Sequence, residues 1–312
     1  MKENSFSILI PAYKTKYLKE AIRSCLNQTY EKYEVVVVDD CSPYDIKSIV
    51  DFYTDNRIKY YRNETNCGSI DVVNNWNICL SYSSGDYIIC IGDDDRLLPN
   101  CLKDVNELIN NYPNLDVYHL QTQIIDEEGR VVKNLELRPE FESAAEMLYQ
   151  RFAGRSQYIG DFCFYSKTLK EEGGFFYLPM AWTSDDVTAY RAALPNGIAN
   201  TQTVCFEYRE NQYSITENSS NDMIKIKALE MSKQWYLEQF ESFYCDGKNK
   251  EDNINKLRTA MLTHYGLMFG KHIYNDLKIS RLRIFYWFMN CRRYHVPYNV
   301  LCKLFVKSLS DN

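Results

Sequence analysis

Residues 33–40 read YEVVVVDD, and this stretch decides the fold. Its valines are β-branched and favour a strand. Apolar side chains follow one another without polar alternation, which indicates a strand buried on both faces, as in a parallel sheet. Parallel strands need helical crossovers, and the neighbouring segments 14–28 and 44–53 have apolar residues at helical spacing. The stretch therefore predicts a strand within βαβ units.

The same alternation continues over the first 120 residues. The predicted strands are residues 6–10, 33–38, 57–61, 87–91 and 116–120. The predicted helices between them are residues 14–28, 44–53, 71–82 and 101–112. Alternation at these lengths predicts an α/β fold with a parallel sheet that has helices on both faces.

The pattern changes after residue 120. The next predicted elements are a hairpin at 121–137 that turns at Glu128-Gly129, a helix at 143–152 and a short strand at 161–166. From about residue 220 onward the pattern is mostly helical.

Composition argues against several classes of protein. The net charge of −6 is unlike that of a nucleic-acid binder, which normally has a basic balance. No apolar run approaches the length of a membrane-spanning helix, and we expect no signal peptide at the N-terminus. The eleven cysteines form no CxxC pairs, so we expect reduced thiols in the cytoplasm and neither a zinc site nor a disulfide scaffold.

Polar or acidic residues follow three of the predicted strands. They are Pro11-Ala12-Tyr13 after the first strand, Asp39-Asp40 after the second, and Asp93-Asp94-Asp95 after the fourth. Ligands of an open parallel sheet bind outside the carboxyl ends of its strands. We therefore expect these residues to converge on one ligand.

The triplet Asp93–Asp95 indicates a bound cation. Neighbouring carboxylates repel one another unless they share a proton or bind a hard divalent ion. Mg²⁺ and Mn²⁺ are suited to oxygen ligands, and Mg²⁺ is usually bound through one or two carboxylates and substrate phosphates. Alternatively, the triplet caps the helix near Pro99, where Asn100 is a candidate N-cap. A cap needs only one such residue, so three in a row favour a site.

The pair Asp39-Asp40 is less specific than the triplet. Phosphate-receiver domains also carry an acidic pair at a strand end. A receiver would have a Lys at the end of a fifth strand, which is missing here, and it would leave the second half of the chain unexplained.

Three segments together resemble glycosyltransferase family 2, whose members have the Rossmann-like GT-A fold and use nucleotide sugars. They are SILIPAYKTKYLKEAIRSCLNQTYEKYEVVVVDDCSPYD (7–45), NETNCGSIDVVNNWNICLSYSSGDYIICIGDDDRLLP (63–99) and WTSDDVTAYR (182–191). The resemblance implies a catalytic domain at 1–215, with a nucleotide-sugar half at 1–120 and an acceptor half at 121–215. A helical extension would follow at 216–312.

The resemblance also implies a UDP-sugar donor. The residues that would contact it are Pro11, Ala12, Tyr13, Asp40, Asn66, Gly68 and Asp93. The first three would line the base pocket, Asp40 would accept a hydrogen bond from the uracil ring, and Asp93 would lie near the ribose. Family members often carry an Arg-Asn pair where this chain reads VVNNWN, so a cation usually found near the nucleotide is replaced here.

The metal site implied by the resemblance lies in GDDDRLLP, residues 92–99. Counting back from Pro99 makes Asp94 the metal ligand, and Asp95 occupies a second, commonly acidic position. The ion would be Mn²⁺ or Mg²⁺, which neutralises a diphosphate leaving group.

Asp185 and Asp186 match the acidic pair that supplies the family's catalytic base. Alignment on Arg191 favours Asp185, whereas alignment on the next apolar residue favours Asp186, which we prefer. The base would take the proton of an acceptor hydroxyl as that hydroxyl attacks the anomeric carbon in line, which inverts its configuration. Alternatively, the pair caps the helix that begins there.

The C-terminal segment 271–312 departs from the acidic average, with eight Lys/Arg against two acids and the aromatic run 285–288. It is typical of a helix at an anionic membrane interface, or it forms helices that only pack on the core. Together with the resemblance, the first interpretation predicts a glycan or lipid-linked glycan acceptor in surface polysaccharide synthesis. The protein would then be cytoplasmic, in peripheral contact with the inner face of the plasma membrane.

Two other functions stay open. A sugar nucleotidyltransferase would carry a Gly-rich, basic loop after the first strand, which PAYKTKYL (11–18) lacks. A non-catalytic, transferase-like subunit of a polysaccharide assembly complex would need neither Asp94 nor the pair Asp185-Asp186, and both are present.

Overall fold

The computed structural model describes residues 2–68, 70–211, 221–246, 251–294 and 296–310. The chain divides into two compact units. The N-terminal unit contains residues 1–147, 156–177 and 184–212. The C-terminal unit contains residues 148–155, 178–183 and 213–312.

Within the described residues, ten strands of the N-terminal unit form one sheet. They are β1 (Phe6–Ala12), β2 (Tyr33–Asp39), β3 (Ile58–Arg62), β4 (Tyr87–Cys90), β5 (Arg96–Leu97), β6 (Val117–Ile125), β7 (Val131–Asn134), β8 (Phe141–Glu142), β9 (Phe162–Tyr165) and β10 (Ile198–Arg209). Their order is β3-β2-β1-β4-β9-β6-β10-β5, with β7 paired to β6 and β8 paired to β10.

The sheet is mostly parallel, as predicted. Strands β1 to β4 run in one direction, and β10 pairs in parallel with β6. Strand β9 lies antiparallel between β4 and β6, so these two neighbours also share that direction. The reversed direction of β9 was not predicted, because a short apolar run does not reveal which way its strand points.

Helices connect the strands of the N-terminal unit. They are α1 (Leu18–Leu26), α2 (Ile46–Asp51), α3 (Val72–Ser81), α4 (Cys101–Asn111), α6 (Ser166–Glu171) and α7 (Ser184–Ala193), while the residues of α5 (Ala144–Phe152) are divided between the two units. Helix α1 buries Leu18, Ala21, Ile22 and Cys25, as its helical spacing predicted. The predicted hairpin is formed by β6 and β7, and β6 also includes the strand predicted at 116–120.

The described part of the C-terminal unit is mainly helical, as predicted. Its main helices are α8 (Asp222–Asp246), α9 (Glu251–Ile279), α10 (Ile284–Asn290) and α11 (Tyr298–Ser310). Helices α8 and α9 pack through buried aromatic side chains such as Tyr236 and Tyr265, whose ring centroids are 6.5 Å apart. Among the described helices, none combines the length and apolar character needed to cross a bilayer.

Candidate active site

The carboxyl ends of β1, β2 and β4 lie side by side. The register pairs Ala12 with Asp39 across β1 and β2, and Leu9 with Cys90 across β1 and β4. Because the three strands are parallel neighbours, the polar residues after them emerge at one edge of the sheet. This edge is the position expected for a ligand of an open α/β sheet.

Asp93 joins two of these strand ends. Its Oδ2 accepts hydrogen bonds from the backbone N–H groups of Tyr13 at 2.8 Å and Lys14 at 2.6 Å. Burial, and then the charge of Asp94, raise the pKa of Asp93 to about 6, although the two N–H groups oppose this shift. Its Oδ1 makes no hydrogen bond within the described residues.

Asp95 is buried and directed into the protein. Its Oδ2 accepts the backbone N–H of Gly92 at 3.2 Å, and its Oδ1 accepts that of Arg209 at 2.9 Å. Burial and the charge of Asp94 raise the pKa of Asp95 well above its usual range. These contacts hold the turn after β4, while the predicted role of Asp95 as a second metal ligand stays a prediction.

Gly92 allows the triplet to fold tightly over its own backbone. A Cβ atom at this position would lie 2.7 Å from Asp94 Oδ1 and 2.9 Å from Asp95 Oδ2. Real Cβ atoms do not approach so closely, so any larger residue would push these carboxylates apart.

Arg209, at the end of β10, organises the same turn. Its side chain is 1% exposed, and its Nε donates to the backbone oxygen of Asp94 at 2.8 Å. One Nη donates to the backbone oxygens of Asp126 and Glu127, and the other forms an ion pair with Glu20 Oε2 at 2.9 Å. The guanidinium thus ties the triplet to the β6–β7 turn and to α1.

Asn211 follows two residues later and contacts the triplet directly. Its side-chain amide donates to Asp94 Oδ2 at 2.7 Å. Neither Asn211 nor Arg209 was predicted as a site residue, because each lies more than 100 positions from the triplet and belongs to no recognisable motif. The only local signal was their position directly after the largely apolar and aromatic stretch TVCFEY (203–208).

Asp40 lies in a network of amides after β2. Its carboxylate accepts from Asn63 Nδ2 at 2.8 Å, from Asn66 Nδ2 at 3.1 Å and from the backbone N–H of Cys67 at 2.9 Å. The structure thus brings Asp40 and Asn66 together. Gly68, with a φ of +74°, completes the turn in the left-handed region that favours glycine.

Asp39 has a different role from its neighbour. It is fully buried, and it accepts from Ser42 N, Tyr60 Oη and the guanidinium of Arg62. Its contacts fix the end of β2 and the loop that follows.

The three residues at the carboxyl end of β1, Pro11, Ala12 and Tyr13, differ in exposure. Ala12 is buried, and its backbone oxygen accepts the N–H of Asp40 at 2.9 Å. Pro11 is partly buried, and the ring of Tyr13 is exposed. Of the three, Tyr13 therefore has the side chain that a flat ring could best stack on.

The pair Asp185-Asp186 lies in the first turn of α7, held by a separate set of contacts. Asp186 is 6% exposed, and its Oδ1 accepts from Gln157 Nε2 at 2.7 Å. Asp185 is partly exposed, and its Oδ1 accepts the backbone N–H of Asp186 at 2.9 Å. Gln157 is a further residue that sequence reasoning missed.

Arg191 anchors α7 to the loop at 172–176. It forms an ion pair with Glu172 at 2.7 Å and donates to the backbone oxygen of Gly174. On the other side of this loop, Asn77 accepts the backbone N–H of Phe175 at 2.8 Å and donates to its oxygen at 3.2 Å. Asn77 therefore braces this loop through its side-chain amide.

Comparison with known proteins identifies the family. The model of "Glycosyl transferase family 2" matches residues 7–174, just over half of the 312 residues. The chain belongs to glycosyltransferase family 2.

Several curated glycosyltransferases are similar to this chain over part of their length. Glycosyltransferase GlyG of Streptococcus pneumoniae is 32% identical over 122 residues, which cover 35% of this chain and 40% of that protein. WcaA of Escherichia coli, a putative colanic acid biosynthesis glycosyl transferase, is 37% identical over 106 residues, which cover 33% and 37%. The chain thus spans about two fifths of the length of these relatives.

Solved structures support the GT-A fold of the family. Residues 1–349 of Staphylococcus aureus TarS, in a structure with UDP-GlcNAc, superpose with a TM-score of 0.66 at 18% identity, covering 88% of this chain and 81% of that one. A second structure of the same TarS fragment gives a TM-score of 0.62 at 19% identity, covering 88% and 80%. At this identity the likeness concerns the fold.

The residues at the sheet edge fit the divalent ion that the family implies. Asp94 is partly exposed, Asn211 holds its Oδ2, and its Oδ1 makes no hydrogen bond within the described residues. In the described part of the chain, no three His, Cys, Asp or Glu side chains are grouped to hold a metal by themselves. This donor set suits an ion such as Mg²⁺, which is bound through one or two carboxylates and completed by substrate phosphates and water.

Proposed function

We propose that this family member transfers a sugar from a UDP-sugar to a hydroxyl of a glycan or lipid-linked glycan, with inversion, in the synthesis of a surface polysaccharide. The observation that carries the proposal is the convergence of the strand ends of β1, β2 and β4, where Tyr13, Asp40 and the Asp93–Asp95 triplet lie at one sheet edge. The UDP-GlcNAc complex of TarS and the colanic acid assignment of WcaA support the donor and the process.

The donor nucleotide is recognised by groups that still have hydrogen-bonding capacity. A carboxylate has about four acceptor positions, and the described contacts of Asp40 use two at Oδ1 and one at Oδ2. The remaining position at Oδ2 suits a uracil N–H. Asp93 Oδ1 suits a ribose hydroxyl, and the exposed ring of Tyr13 suits a base.

Asp94 holds the divalent ion, with Asp95 as the predicted second ligand. When bound, the ion neutralises the charge that develops on the diphosphate leaving group. The chain's own contribution is orientation: Asn211 fixes one oxygen of Asp94, and Arg209 fixes its backbone.

Asp186 acts as the general base, and Gln157 orients its carboxylate through the 2.7 Å hydrogen bond. The acceptor oxygen forms a bond to the anomeric carbon while the bond from that carbon to the diphosphate oxygen breaks. The electron pair leaves with the diphosphate, and the hydroxyl proton passes to Asp186. Asp185 is the alternative base, since it is the more exposed of the two.

The same proposal divides the chain by role. Residues 1–120 bind the nucleotide sugar, residues 121–215 bind the acceptor, and residues 216–312 form a helical extension. The transferase acts at the cytoplasmic side of the membrane, where a lipid-linked acceptor is within reach.

Thermal unfolding with UDP tests the proposal. A ligand at 100 times its Kd stabilises a protein by about 2.7 kcal/mol, so UDP with Mn²⁺ is expected to raise the Tm by several degrees, and UDP with EDTA by much less. Asp94→Asn should remove the difference, whereas Asp51→Asn, a change at an exposed acid of α2, should keep it. Equal shifts with Mn²⁺ and with EDTA would contradict the proposed metal site.

A further inference from the structure

Helix α10 is apolar on two sides, although only one of them is covered. Ile284, Trp287 and Cys291 are buried in the C-terminal unit. The indole N–H of Trp287 donates to Asp276 Oδ2 at 2.9 Å, and its ring lies 5.4 Å from that of Tyr294. This buried side alone therefore accounts for the packing of α10 against the rest of the C-terminal unit.

The opposite side carries a row of exposed apolar side chains, which we call the α10 stripe. Leu282 is 78% exposed, Phe285 67% and Met289 79%. Leu282 lies in the 3₁₀ turn that leads into α10, and the spacing of three and four residues brings all three side chains to one side. Single exposed apolar residues are ordinary, but a row of large ones marks an interaction surface.

Cations border the α10 stripe at both ends. Residues 284–290 contain no charged side chain, and Arg281 and Arg292 flank them. Both arginines are exposed, and neither forms an ion pair within the described part of the chain. The acid nearest in sequence, Asp276, is buried and bonded to Arg283 and Trp287, so it does not offset the charge of Arg281 or Arg292.

We infer that the α10 stripe docks on an anionic lipid bilayer. An apolar row between cations is the pattern of a helix that lies in the membrane interface, with its apolar side chains among the acyl chains and its arginines at the headgroups. The stripe offers no hydrogen-bonding groups to a protein partner. A second copy of the chain would bring the arginines of two molecules together, which like charge disfavours.

This inference goes beyond the proposed sugar transfer and does not depend on it, because lipid binding is measured without a donor or an acceptor. The test is co-sedimentation of the full chain with vesicles of phosphatidylcholine mixed with phosphatidylglycerol, and with vesicles of phosphatidylcholine alone. Binding to the mixed vesicles should be at least about tenfold stronger, and it should weaken as salt is added.

Two variants separate the apolar contribution from the charges. L282S/F285S/M289S should weaken binding to the mixed vesicles by about tenfold or more, since it removes the apolar area that enters the interface. R281E/R292E should abolish the preference for phosphatidylglycerol. All five positions are exposed, so both variants should keep the circular dichroism spectrum and Tm of the original chain.

Matched controls lie in the N-terminal unit. F52S/V132S/L137S removes three exposed apolar side chains there, and K103E/K133E makes the same change of charge. Both should bind vesicles like the original chain. The inference is overturned if the chain ignores vesicles, if the stripe variant binds as well as its control, or if the stripe variant changes only self-association in sedimentation velocity.

Discussion

The side-chain amide of Asn211 donates a hydrogen bond to Asp94 Oδ2 across 2.7 Å, although the two residues are 117 positions apart in the chain. This bond fixes one carboxylate oxygen of the proposed metal ligand and leaves the other free to bind. The segment at the end of β10 thereby orients the carboxylate of Asp94 in the triplet after β4. Hydrogen bonds that orient a metal ligand typically change metal affinity by about 10–100-fold.

Asn211→Ala is expected to weaken Mn²⁺ binding by about 10–100-fold, because Asp94 loses the group that orients it. Titration of Mn²⁺ in the presence of UDP measures the effect. Asn196→Ala, which removes an exposed side-chain amide that donates to the backbone oxygen of Asn114, serves as the control and should leave the affinity unchanged. Equal Mn²⁺ affinity in the two variants would show that the Asn211 bond does not matter for the metal.

Arg209→Met should destabilise the protein by about 1–3 kcal/mol, because the backbone oxygens of Asp94, Asp126 and Glu127 lose their buried donor. Urea denaturation measures this. Arg130→Met removes an arginine from an exposed ion pair with Asp126 and should have little effect. If both variants unfold at the same urea concentration, Arg209 does not hold the turn as described.

Gly92→Ala should reduce Mn²⁺-dependent UDP binding, because its Cβ would lie 2.7 Å from Asp94 Oδ1. Gly266→Ala is the matched control, since nothing lies within 4 Å of its Cβ position. In α9 that alanine should stabilise the helix by about 0.5–1 kcal/mol. Normal UDP affinity in Gly92→Ala would mean that the carboxylates can move aside without loss.

Asp186→Asn should lower kcat by about 10²–10⁴-fold, because the acceptor hydroxyl loses its general base. UDP binding should persist, which calorimetry can establish separately. Asp185→Asn is the comparison, and we expect it to keep most of the turnover. The reverse order of effects would transfer the role of base to Asp185.

Much of the fold was predictable because it depends on local pattern. The apolar run of β2 and the helical spacing in α1 are read directly from neighbouring residues. The shared sheet edge of Tyr13 and Asp93 also followed from strand direction alone, and their 2.8 Å hydrogen bond agrees with it.

The contacts that complete the site were not predictable, for physical reasons. Arg209 and Gln157 donate hydrogen bonds to Asp94 and Asp186, which are distant from them in sequence. One amino-acid sequence by itself carries no signal of such pairing. The antiparallel direction of β9 depends on its pairing with β4 and β6, which its own short apolar run does not reveal. The inward direction of Asp95, whose carboxylate accepts from the backbone N–H groups of Gly92 and Arg209, likewise depends on a partner distant in sequence.

The most direct test of the central claim is the release of UDP from a panel of UDP-sugars by the purified full chain in Mn²⁺, followed by chromatography. We predict that one or a few sugars are turned over, and that both EDTA and Asp94→Asn reduce the rate by at least about 100-fold. The account would be contradicted if no UDP-sugar reacts even with glycan acceptors present, or if Asp94→Asn releases UDP as fast as the original chain.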